Sequence, residues 1–408
     1  MKKFIRITFL AFIIYKVFTC TSLQKNTNSD NEVKIEWVHS LLAEGDKITS
    51  EVLTKVKNNK STTKVIKWYF IEAPMYKPSN APIEITSVNQ LEKLKKNSPE
   101  KIISLIITFD EKIDSSTNVI KLDSFKELEY LRINNTNYAP LDLTGLKNIK
   151  TLHFNRVYDL LELPKGIDDL ESLEHLSIYG ANKIKQFPKE IYHLTKLKTL
   201  QITGLGSYGY KITPDLKNLK EINYLDISSN IIIPKEIGTL KNLKELNIDN
   251  GSYETAFQEI YNLPNLEILG LRTYSESDLI GISALQNLKV LNLQANKLIP
   301  EIGSLSSLEG LIINYNNGSY PNELRNMDNL VSIQIISDNQ ITEAPNFIPY
   351  LKKLDYLEIR NCSKLSEFGQ DYRQLEGVSL IQLIYNDSIK IIPKNLIHLK
   401  DRVIVKKK

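Results

Sequence analysis

One phrase governs what this chain can fold into. "KEIGTLKNLKELNID" (235–249) sets leucine and isoleucine at fixed steps, and its "LxxLxL" core returns along most of the sequence. The first apolar residue of each copy falls at 128, 149, 173, 197, 222, 243, 266, 288, 308, 330, 354 and 378, at intervals of 20 to 25 residues. "IISLII", from Ile102, reads as one more copy. An active site is built once, whereas repetition builds a surface. In "LxxLxL" the last two apolar residues alternate, so both point to one face of a short strand and sit inside. Between copies, "LPKGIDDLESL" (163–173), "FPKEIYHLTKL" and "IPKEIGTLKNL" turn the chain back and drop two more apolar residues into the same core. One copy cannot bury that face alone, so copies must stack. Their strands then form a parallel sheet about 4.8 Å apart, so a dozen run for roughly 55 Å.

These phrases, with "LEHLSIYGAN", "INYLDISSN", "LKVLNLQAN" and "LEGLIINYN", resemble the short, Pro-containing class of leucine-rich repeat found in bacterial and plant-resistance-type proteins. The resemblance covers about 300 of the 408 residues. It implies an α/β solenoid: a curved horseshoe with a parallel concave β-sheet and short helical, 3-10 or irregular convex segments. It also implies that the solenoid binds other macromolecules. Asn230, Asn296, Asn316 and Asn386 hold the turn after the strand, where an Asn side chain can bond neighbouring backbone. Thr136, Val157, Leu205 and Tyr274 break that ladder, and Cys362 stands there as a buried structural thiol.

The chain divides into a signal segment (1–19), a polar tether (20–31), an N-terminal cap (32–100), the repeat array (101–399) and a C-terminal edge with a basic tail (400–408). Lys2, Lys3 and Arg6 precede the apolar "FLAFIIY", which is too short to span a bilayer and reads as an export signal. A break at Cys20 resembles a bacterial lipoprotein signal, with Cys20 as the lipidated residue, although Lys16 and Phe18 depart from that pattern. Ordinary secretion, or a cytosolic chain with an accidental apolar start, are the alternatives. In the cap, "SVNQ" (87–90) has the form of a capping box opening a helix, and "KVIKWYFIEA" (64–73) reads as a strand. An exposed first repeat needs such a polar cover, unless the segment is a small separate module. "DRVIVKKK" (401–408) reads as an edge strand blunted by charge.

Chemistry is hard to place on this chain. A net charge of +4 gives no reason to expect nucleic acid, and two cysteines exclude a disulfide framework. "GLGSYG" (204–209) satisfies a dinucleotide pattern, with Asp226 downstream. The true site needs its third glycine to open a crossover helix. Here the loop runs into "YKITPDL", whose Pro214 matches the proline of the other repeats. His193 and His398 fall at a solvated convex position, and His39 falls in the cap. His153 and His175 project from adjacent strands, with no acidic or cysteine ligand beside them to make a metal site. No cofactor and no catalytic set is expected.

Between the inward leucines each strand presents residues to the concave face. The distinctive ones are Tyr130, Arg132, His153, Arg156, His175, Tyr179, Tyr224, Asp226, Glu245, Asp249, Arg272, Tyr315, Tyr356, Glu358, Arg360 and Tyr385. Tyrosine and arginine dominate binding hot spots, and the charges run in blocks: basic from Arg132 to His175, then acidic from Asp226 to Asp249, then mixed. Such a face suits a protein partner, with cell-wall or surface glycan, or a purely structural role in the envelope, as alternatives. The expectation is a monomeric, non-enzymatic, exported scaffold that meets the membrane only through a lipid at Cys20. It includes the view that Tyr224→Ala leaves folding intact whereas Leu246→Asp or Leu291→Asp unfolds neighbouring repeats.

Overall fold

The computed structural model describes residues 81–108, 119–134, 141–204, 210–228, 231–249, 255–314 and 317–407. All lie in the second of two compact units, 54–408. The signal segment, Cys20, the tether, His39, the expected strand at 64–73, Tyr315 and the turn positions Thr136, Leu205, Asn230 and Asn316 fall outside the described residues, as does most of the glycine loop.

A single 15-stranded parallel sheet follows chain order from Ile83–Ile85 through Ser104–Thr108 to Val403–Lys406. The strand Ser104–Thr108 is the copy read at Ile102, and Val403–Lys406 is the terminal edge strand. The strand Ile83–Ile85 belongs to the same sheet, although the repeat period does not reach it. After it comes the helix Val88–Lys96. Its N-cap Ser87 accepts from Gln90 N, and Gln90 Oε1 accepts from Thr86 N at 2.7 Å, one residue before the N-cap amide that the usual box engages.

The spacing of the Pro-containing phrase has a direct cause. Pro234, Ile237, Leu240 and Leu243 lie three apart, and the chain there is a 3-10 helix, Lys235–Thr239. With three residues per turn, every third side chain falls on one edge. The bonds keep the same step: Ile237 N to Pro234 O (3.1 Å), Leu240 N to Ile237 O (3.1 Å) and Leu243 N to Leu240 O (3.0 Å). Leu240, Leu243, Leu246 and Ile248 are then buried in one core that runs the length of the array.

Register is fixed repeat on repeat. Leu225 pairs with Leu246 and Leu246 with Leu269, so inward leucines stack while the residues between them form three outward rows. A rail of opposite charge marks the start of several strands: Lys150–Glu129 (2.9 Å), Lys198–Glu174 (2.8 Å) and Lys289–Glu267 (2.5 Å). These pairs are partly exposed and contribute at most about 1 kcal/mol each.

The turn after the strand follows a rule the expected Asn ladder only partly captures. Arg156, Gly180, Ser337, Asn361 and Tyr385 have positive φ. Each is followed by a buried residue: Val157, Ala181, Asp338, Cys362 and Asn386. One left-handed residue breaks the strand alternation and sends its successor inward. Asn386 there accepts from Cys362 N and donates to Ile359 O, both at 2.8 Å. Where the left-handed step is missing, alternation simply continues. Strands Ile268–Thr273 and Val290–Ala295 run one residue longer, and Thr273 and Ala295 go inside. Tyr274 and Asn296 are therefore exposed, which corrects the ladder role expected of Asn296.

Candidate functional site

The outward rows of the sheet are the candidate surface. Arg132, His153, Ser177, Gln201 and Asp226 form the middle row in consecutive register. Several residues expected to meet a partner are instead its floor. Tyr130, His153, Tyr224, Asp226, Tyr356 and Glu358 are all 2 to 9% exposed. The reason is packing across neighbouring strands, where long side chains lie over one another. The Tyr130 and His153 rings are 5.5 Å apart, and Gln201 Nε2 donates to Asp226 at 3.1 Å. The Tyr356 hydroxyl donates to Glu358 Oε2 at 2.6 Å and lies 2.9 Å from the Gln382 side-chain amide. Arg360 Nε donates to the other Glu358 oxygen at 2.5 Å, closing a polar network across two strands. Tyr224→Ala would consequently open a cavity in a 2% exposed site, so the expectation that it leaves folding intact is corrected.

Half-buried residues reach past that floor: Arg132, Arg156, His175, Tyr179, Glu245, Arg272, Arg360 and Tyr385. His175 Nδ1 is 3.0 Å from Thr199 Oγ1. The Arg272 guanidinium lies 5.3 Å from the centre of the Tyr274 ring, and Lys406 Nζ 5.2 Å from that of Tyr385. Tyr274 is 45% exposed; the sequence placed it only as a break in the turn ladder, although its aromatic character beside an arginine was the available signal for the surface. Asp249 stands in register with Arg272 at the strand end. His193 and His398 are exposed on the convex side.

Electrostatics divide the face. Burial, reinforced by the charges of Arg132 and His175, lowers the His153 pKa to about 4, and burial likewise lowers that of His175. The His153 ring is therefore neutral at physiological pH. Burial and then the neighbouring Glu267 carboxylate raise the Glu245 pKa to about 7. Burial also raises the Cys362 thiol to about 12, which leaves it inert as a nucleophile. After Gly204 the chain runs through Tyr210–Lys211 into the short 3-10 helix Pro214–Asn218, so no long crossover helix follows the glycines. Among the described residues no cluster of three or more His, Cys, Asp or Glu is placed to hold a metal.

Stacked strand-and-turn repeats with a continuous parallel sheet define the fold class as a repeat solenoid. Residues 104–259 match a family model described as a leucine-rich repeat region. A leucine-rich repeat protein of Leptospira interrogans superposes with a TM-score of 0.57 at 22% identity, over 80% of this chain and 88% of that one. An internalin of Listeria monocytogenes gives 0.57 at 19% identity, over 78% and 94%. A receptor-like protein of Solanum lycopersicum is 35% identical over 114 residues, 25% of this chain but only 11% of that relative's length. Residues 104–259 are a leucine-rich repeat region, and the sheet that continues beyond them has the fold of the leucine-rich repeat structures.

Proposed function

We propose that this protein is a non-enzymatic scaffold that grips a protein partner through the outward rows of its sheet. One observation carries the reading: the parallel sheet sets three outward residues per strand in fixed register, and Arg132, Tyr179, Arg272 and Arg360 stand half-buried in those rows, among asparagine, glutamine and isoleucine. The buried network of Tyr356, Glu358 and Gln382 holds Arg360 in place, which reduces the ordering cost of binding there. Fold alone names no partner. The basic start, apolar run and Cys20 support an exported chain held at the envelope by a lipid, and nothing in the repeat pattern requires a second copy. A cell-wall or surface glycan is the alternative ligand.

The test is affinity capture from envelope and extracellular extracts with the intact protein and a variant carrying Arg132, Tyr179, Arg272 and Tyr385 as alanine. Those four are half-buried and span the sheet, so the variant keeps its fold; circular dichroism checks this. A protein retained by the first and lost by the second supports the reading. Equal retention moves the site off this face, and recovery of glycan alone replaces the partner class.

A further inference from the structure

The N-terminal third of the outward face carries a charge pattern unlike the rest. On the five strands from Ser104–Thr108 to Thr199–Thr203, the outward residues include no carboxylate and no lysine. They do include Arg132, half-buried, whose Nε donates to the neutral Asn134 Oδ1 at 2.8 Å and whose side chain also bonds Tyr130, itself uncharged. One strand over, Arg156 sits at the left-handed turn. Neither arginine forms an ion pair among the described residues, whereas Arg360, at the other end of the sheet, is paired with Glu358 at 2.5 Å. The nearest outward carboxylates in the described rows are Glu84, two strands before Arg132, and Asp226, which Gln201 already engages. Among the described residues, the guanidinium charges of Arg132 and Arg156 are thus left without a carboxylate.

Arg156 is informative for a second reason. Its φ is +59°, at a turn position where the next two repeats use Gly180 and Gly204. A left-handed conformation is less favourable for a residue with a side chain than for glycine. What the chain gains there is a guanidinium on the rim. Beside it, Tyr158 is 44% exposed and lies against Gly180, where an added Cβ would come within 2.9 Å of the Tyr158 ring. Tyr179 precedes that glycine. The register pairs Asn134 with Asn155, so Arg156 stands one strand across and three residues beyond Arg132. Strand geometry puts their Cα atoms about 11 Å apart.

We infer that this patch, within the binding role argued above, takes an extended acidic polypeptide segment. Two of its carboxylates engage the guanidiniums of Arg132 and Arg156, and the rest lies along the rings of Tyr158 and Tyr179. Planar guanidinium pairs well with carboxylate, and an aromatic floor receives the chain between the charges. A polyanion such as a sulfated glycan or nucleic acid fits worse. It needs a run of positive charge, and here Ser177, Asn155 and Gln201 fill the intervening positions.

The experiment is fluorescence anisotropy on the full chain with a labelled peptide of alternating glutamate and serine, beside the same peptide with glutamine. Arg132→Gln retains a side-chain amide donor near Asn134, and Arg156→Gly relieves the left-handed turn, so both variants fold. The expected result is about tenfold tighter binding of the glutamate peptide, weakened about tenfold by either substitution. Lys217→Gln, exposed in the 3-10 segment Pro214–Asn218 away from the outward rows, leaves its affinity unchanged. Failure of the wild type to prefer the glutamate peptide, indifference to both substitutions, or tighter binding of a heparin fragment overturns the assignment. If the Arg132→Gln, Arg156→Gly double variant still captures a partner that the sheet-wide alanine variant loses, the scaffold reading stands and this patch falls.

Discussion

Glu245 offers the most quantitative perturbation of the sheet. It lies in the outward row between Tyr224 and Ile268, and its Oε2 is buried without a hydrogen-bond partner among the described residues. Burial and then the Glu267 carboxylate raise its pKa from 4.5 to about 7, against the opposing pull of Lys244. Each pH unit of that gap is worth about 1.4 kcal/mol, which sets a ceiling of about 3 kcal/mol. Residual solvent contact screens the charge, so about 1–2 kcal/mol is expected. Below pH 4.5 the carboxyl is protonated in folded and unfolded chain alike, and no penalty exists. Between 4.5 and about 7 the folded state holds the proton longer, so stability falls as pH rises, and above about 7 the whole penalty is present. Glu245→Gln removes it. Because repeat arrays open in parts, the measurement is hydrogen exchange of amides in Tyr224–Ser228, Glu245–Asp249 and Ile268–Thr273, variant against wild type at each pH. The variant should match wild type near pH 4 and be protected by about 1–2 kcal/mol more at pH 8. Equal gains at both pH values, or none at pH 8, would refute the desolvation argument.

Three further outcomes follow from the packing. Asn242→Ala removes the bond from Asn242 Nδ2 to Lys220 O (3.0 Å) and should lower stability by about 1 kcal/mol in denaturant unfolding, whereas the exposed Asn262→Ala should not. Leu246→Asp puts a charge in a fully buried site and should lose the adjacent repeats by circular dichroism, with native-like spectra counting against the register. In a Cys20→Ser background, Cys362 should react with a thiol reagent only after denaturation; fast labelling of the folded chain would contradict its burial.

The array was legible because its periods are physical: two for the strand, three for the 3-10 turn, about 23 for the coil. What stayed hidden depends on neighbours in space. Tyr224 and Tyr356 alternate outward as expected, yet side chains across the strands bury them, and no single-strand pattern encodes that. Tyr274 and Asn296 were misread because the inward turn needs a left-handed residue before it, and Thr273 and Ala295 stay extended. One device was in plain view and missed. The asparagine in "LKNI", "KNL", "PNL", "QNL" and "DNL" is a second ladder, in which Asn148, Asn242, Asn265, Asn287 and Asn329 each donate to a carbonyl of the preceding repeat. The sequence reading assigned Asn to the strand turn alone and gave these no role.

Those ladders share a property of scale. The bond from Asn242 to Lys220 spans 22 residues, that from Cys362 to Asn386 spans 24 and that from Tyr372 to Pro345 spans 27. Each ties a coil only to the one beside it. The molecule is consequently editable by whole lines: excising one coil, cut at equivalent turn positions, rejoins partners of the same kind and leaves a shorter array with its seams intact. A cut within a coil puts an outward residue where a leucine must go. Length is therefore a variable this architecture can change without redesign, and the distance spanned by its outward face changes with it.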